Sequence, residues 1–289
     1  MQKGNRTILV LKDVAFIALV AFVFGGTLVI SRILLYQTGF AVPRIPNQAD
    51  ESTAIYYLFS GSLMLVAGIY SLLKGSGGAW YIRFMNSFLL MFLGFAVAVT
   101  IESSIYSDVP GYNRMILVLF LPALVFAILI STIHGNKGDK RPFKIALDDF
   151  LSGRPAGNLA ARLMLAIVSF PVVYFVFGVL ASPFVAEYYE ELVSGLALPE
   201  PATIVGVQFL RSILFLFFTI PVMIYWKSGR ASLVLSLGMA HFVMVFAYDI
   251  VLAIEMPTKL ILIHGVEILL DSFVYSWLVV KLLYNKPQS

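Results

Sequence analysis

Three ionisable residues near the end of the chain, His264, Glu267 and Asp271, are spaced i, i+3 and i+7 inside an otherwise apolar run from Thr258 to Leu283. In a helix that spacing places all three on one stripe. Two preceding apolar runs carry Arg211 and the pair His241 and Asp249. Ionisable side chains inside apolar segments are costly, and where they persist they mark ion pathways, proton relays or paired charges. Four kinds of chemistry are open to this set. Carboxylate–histidine chains hold a cation or pass protons: Glu267 and Asp271 would bind the ion, Arg211 would tune their acidity, and the histidines would relay. His241, His264, Glu267 and Asp271 are also acceptable ligands for a zinc-like ion in a membrane-embedded hydrolase of peptides or lipids. Arg211 suits a phosphate or carboxylate, as in recognition of a lipid head group or peptide. Finally, Arg211 paired with Glu267 or Asp271 would simply fix helix packing in a structural or assembly protein.

The elements that carry these residues follow from composition. Of 289 residues, 60% are hydrophobic and 12% charged, and mean hydropathy is +0.91. Soluble domains sit near ~45–50% apolar and ~25% charged. The chain therefore reads as all-α, a polytopic integral membrane helical bundle forming a single transmembrane domain over 1–289, with the lipid bilayer as its first partner. Eight segments reach the ~20 apolar residues a spanning helix needs: about 13–36, 53–73, 81–106, 114–133, 160–184, 203–226, 231–254 and 258–283. The first, around Val14 to Ile30, is too long for a signal-peptide core and reads as a retained helix. The net charge of +4 is explained by topology rather than by nucleic acid. With both termini cytoplasmic, fifteen Lys and Arg fall on the inner side. Four, Arg32, Arg44, Arg114 and Lys259, fall outside, and Arg211 stays within a span. The expected location is the plasma membrane. The loop 134–160 alternates apolar Phe143, Ile145, Leu147, Phe150 and Leu151 with charged Lys144, Asp148 and Asp149, as a short interfacial helix would.

Several activities lose support. With no cysteine there is no disulfide, thiolate metal site or cysteine nucleophile. No H-E-x-x-H, G-x-S-x-G, phosphate-binding glycine loop or dinucleotide fingerprint occurs. No cofactor is indicated by a motif. Glu190-Glu191 is followed by Gly195 where a CAAX-type intramembrane protease would carry arginine, and no Gly-x-Gly-Asp precedes Asp271 as a presenilin-type protease requires.

At 1.5 Å rise per residue, counted from the outer ends of their helices, Arg211 lies ~12 Å deep, His264 ~9 Å, Glu267 ~13 Å and Asp271 ~19 Å. Asp249 lies ~9 Å and His241 ~21 Å deep on the same count. These levels pair Arg211 with Glu267, Asp249 with His264 and His241 with Asp271. The short turns joining the last three helices make them expected neighbours. The chain thus predicts an outward-facing polar site for a small cation or solute, with Glu102 and Glu255 as gate candidates near its mouth. The function it points to is cation- or proton-coupled solute binding or transport.

Overall fold

The computed structural model describes residues 2–40, 51–107, 111–133, 141–152, 155–191, 196–252 and 257–284, and these are helical with no strand among them. The helices are α1 (Gln2–Gln37), α2 (Glu51–Gly75), α3 (Trp80–Leu89), α4 (Val99–Ile105), α5 (Met115–Ile133), α6 (Phe143–Ser152), α7 (Ala156–Glu190), α8 (Pro201–Ile224), α9 (Arg230–Leu252) and α10 (Thr258–Leu283). Between α3 and α4 the rod continues without a break through a nine-residue π-helix, Leu90–Ala98. Such i→i+5 segments are rare, occur mostly as single turns, and concentrate at functional sites.

Among the described residues, seven helices are long and apolar enough to cross a membrane: Thr7–Gln37, Thr53–Gly75, Trp80–Ile105, Tyr112–Thr132, Gly157–Glu190, Pro201–Ile224 and Arg230–Ala247. The expected count was eight. α10 has 26 residues but carries Lys259, Glu267, Asp271 and Lys281, and it is not among the seven. The outer surface is what a bilayer requires. Phe22, Val179, Phe217, Leu235 and Leu262 are each 60–67% exposed. Apolar exposure on that scale is tolerated where lipid, not water, is the neighbour.

Packing order differs from chain order. α1 lies between α2 and α5, and α9 lies between α2 and α10. α10 also packs on α7, α7 on α8, and α8 on the π segment and α4. α8 and α9 are joined by the short turn Tyr225–Gly229, which led to the expectation that they sit side by side. They meet only through side chains, the His241 ring of α9 against Phe215 and Phe218 of α8, while the π segment packs against both helices. Gly94 allows this approach. A Cβ there would lie 2.7 Å from a Phe218 ring carbon on α8 and 2.8 Å from the Met244 sulfur on α9. Helices meet this closely where a small residue faces the neighbour.

One end of the bundle is sealed. Ser76 and Trp226 form an isolated antiparallel bridge, and the Gly77 amide donates to the Tyr225 carbonyl at 2.9 Å. The Tyr225 hydroxyl donates to the Arg141 carbonyl at 3.0 Å. α6, the helix foreseen in the long loop, covers this end through Phe143, Ala146 and Leu147, packed on Ile82, Ile224 and Tyr225. Arg162 and Arg230 donate to the carbonyls of Leu282 and Tyr284 at 3.0 Å each. They satisfy acceptors that the last turn of α10 would otherwise leave open.

Candidate functional site

At the opposite end the helices part around a cavity of about 480 Å³. α8 contributes its buried face, Gln208, Arg211, Ser212 and Phe215, at the i, i+3, i+4, i+7 spacing of one helical stripe. Arg211 is 2% exposed. Its Nη1 forms an ion pair with Glu102 Oε1 on α4 and donates to Gln208 Oε1 at 2.8 Å. Gln208 closes the triangle by donating from Nε2 to Glu102 Oε1 at 3.2 Å. The guanidinium carbon lies 5.3 Å from the Phe170 ring centre and 5.4 Å from that of Phe215. This cation is thus neutralised, hydrogen-bonded and held between aromatic faces. Its partner is Glu102, not Glu267 as the depth count suggested. Helical rise gives level but not azimuth, and the wedge of the rod between α8 and α9 turns Arg211 toward α4.

The stripe on α10 faces the same cavity. His264 Nδ1 and Glu267 Oε2 are 2.9 Å apart. His264 Nε2 is 3.2 Å from the Tyr189 hydroxyl on α7, so the imidazole spans two helices. Asp271, 9% exposed, has only the Ser272 hydroxyl, at 3.4 Å, as a hydrogen-bond partner among the described residues. His241 lines the cavity from α9, but its Nδ1 sits 2.9 Å from Ser276 Oγ rather than beside Asp271. Its ring packs against Phe215 and Phe218.

Five of the expected residues, Arg211, His241, His264, Glu267 and Asp271, therefore line one cavity together with Glu102. Asp249 falls on α9, but its side chain is outside those described, and Glu255 lies outside the described residues. The four metal candidates are not gathered: among the described residues no group of three His, Asp or Glu could hold a metal ion.

The wall that sequence reasoning missed is α7. Tyr174, Phe175, Gly178 and Tyr189 face the cavity, and the Tyr174 hydroxyl meets that of Tyr106 at 2.8 Å. α7 has no charge between Arg162 and Glu187, hence no mark of function in an apolar run. Its tyrosines, Tyr174, Tyr188 and Tyr189, in an otherwise largely apolar helix, were the available signal. Compared with known proteins, the chain matches no family model, no curated protein and no solved structure.

Proposed function

We propose that this is a multi-pass membrane protein that binds a small solute in an intramembrane cavity, with cation or proton binding at Glu267 and Asp271 coupled to its movement. One observation carries the reading: Glu267 and Asp271 enter a cavity of about 480 Å³ while the buried cation, Arg211, is already neutralised by Glu102. A packing network pairs every buried charge. Here, among the described residues, Asp271 has one hydroxyl as its hydrogen-bond partner. In this reading α10 is an eighth span, its polar stripe turned inward and its opposite face, Leu262, Val266, Leu270 and Trp277, exposed and apolar as lipid demands. Both termini then lie in the cytoplasm, the sealed end with Arg141, Arg162, Arg230 and Lys281 faces inward by the positive-inside rule, and the plasma membrane is the host.

A second reading draws on the triangle Arg211–Glu102–Gln208, which ties α8 to α4 and serves packing. The two readings divide the site between them rather than compete for the same residues.

The test is thermal stability of the detergent-purified full-length protein between about pH 5 and about pH 9, with Na⁺, Mg²⁺ or Zn²⁺, for wild type, Glu267→Gln and Asp271→Asn. Linkage requires that a ligand bound only by the folded state raise the melting temperature. A cation, or protons, that stabilise wild type but neither variant would support the coupling. Identical profiles for all three proteins would exclude it.

A further inference from the structure

We infer that the cavity takes a hydrophobic organic cation, an amine or quaternary ammonium carrying an aromatic or branched apolar body, with its charged centre against Asp271 and Glu267. The inference rests on reading the cavity as a solute site and adds the class of solute. Three observations converge on it.

The first is size. A cavity of about 480 Å³ is far larger than a bare ion needs, since a water molecule occupies ~30 Å³ of liquid. It falls in the ~300–1,000 Å³ range of sites that enclose small organic molecules. The second is sign. Among the described residues, four carboxyl side chains line it, Glu102, Glu190, Glu267 and Asp271, against one Lys or Arg, Arg211. An anionic solute would need that guanidinium, and Glu102 and Gln208 already engage it. A cationic one finds Asp271 without a charged partner among the described residues, and Glu267 held only by His264. The third is the wall. Phe170, Tyr174, Phe175, Phe215 and Tyr275 present aromatic surface around the carboxylates. Ring faces attract cations, organic ammonium ions included. Arg211 already uses two of them in this way, over Phe170 and Phe215.

α7 offers a way to test size apart from charge. A Cβ built at Gly178 would meet nothing within 4 Å but Glu267 Oε1, at 3.6 Å. A side chain at Gly178 therefore starts into the cavity beside Glu267 without meeting backbone or ring, and Gly178→Leu takes up space there.

The experiment is titration calorimetry on the full-length protein in nanodiscs, with phenethyltrimethylammonium, the uncharged 2-phenylethanol, the anionic phenylacetate and Na⁺ as probes. Wild type should bind the quaternary ammonium at least ~10-fold more tightly than the alcohol or the acid. Asp271→Asn should weaken the ammonium ~10-fold or more and leave the alcohol unchanged. Gly178→Leu should abolish ammonium binding while the melting temperature holds. Equal affinity for ammonium and alcohol, a preference for phenylacetate, or an unaltered ammonium affinity in Asp271→Asn would each overturn the inference. If Asp271→Asn fails to fold, retained binding in Gly178→Leu overturns it and lost binding supports it. Stabilisation by Na⁺ or protons without binding of any organic cation would sink the solute class while the ion site stands. Silence from every probe would sink both.

Discussion

The two ends of this bundle handle buried polarity in opposite ways. At the sealed end, the cavity beside Arg83, Asn86 and Ser87 measures about 10 Å³, and α6 and the Ser76–Trp226 bridge pack that end of the bundle. At the other end about 480 Å³ stays open around charged side chains. Close packing is the default of a protein interior, and voids forfeit dispersion contacts. A helical bundle with seven apolar spans could collapse at either end, so the open half is maintained against that tendency. The glycines show how. Gly75 at the sealed end is filled against by Trp226, whose ring carbon would lie 2.2 Å from an added Cβ. Gly178 at the open end adds space to the cavity instead.

The contrast can be broken or sharpened experimentally. The largest effect is expected at the buried ion pair. Arg211→Ala leaves Glu102 charged and unpaired, and should cost ~3–5 kcal/mol of stability. The paired change Arg211→Met with Glu102→Met should recover most of that. Chemical unfolding in detergent of the two singles and the double gives the coupling, and a double as unstable as the singles would refute the pairing. Next is Gly75→Ala, which forces Trp226 to move and should cost ~1–3 kcal/mol, whereas Gly178→Ala should stay within ~0.5 kcal/mol. Equal losses at the two glycines would erase the distinction between the ends. Asp271→Leu should go the other way. Removing a buried carboxyl that has no ion-pair partner among the described residues should stabilise the fold by ~1 kcal/mol while ending cation response, the usual exchange of function for stability. A melting temperature lowered by Asp271→Leu would mean that the carboxyl serves packing. The smallest effect belongs to Tyr189→Phe, which removes one hydrogen bond to His264 and should cost ~1 kcal/mol or less, visible as a modest shift in midpoint.

Much of this arrangement could be read from residue order, and the failures have physical causes. Length and apolarity alone mark the helices, because a bilayer leaves the backbone few other choices. The i, i+3, i+7 stripe of α10 and the isolated Arg211 were legible as polar groups in apolar runs, and they do line one cavity. Partnership was not legible. Depth along a helix is a property of sequence, but the direction in which Arg211 points depends on which helix stands beside α8. On the side that Arg211 faces, that neighbour is the π-bearing rod with Glu102. Nothing in Leu90–Ala98, apolar throughout, announces a change in hydrogen-bond pattern. The contribution of α7 was hidden for a related reason: its role is to leave room, and an absent side chain such as that of Gly178 carries no charge to notice.

The π segment has a further consequence, which concerns counting. A rod that changes its winding partway along is out of phase with itself, so the face chosen by Ile82 and Asn86 is not the face an unbroken α-helix would give Glu102. Shortening Leu90–Ala98 by one residue would turn everything beyond it by a fraction of a turn about the axis. Glu102 would then swing off Arg211 with no functional side chain altered. In that stretch the number of residues matters as well as their identity: Gly94 must stay small for the rod to meet α8 and α9, and a single codon lost would change the phase between the two halves of the rod.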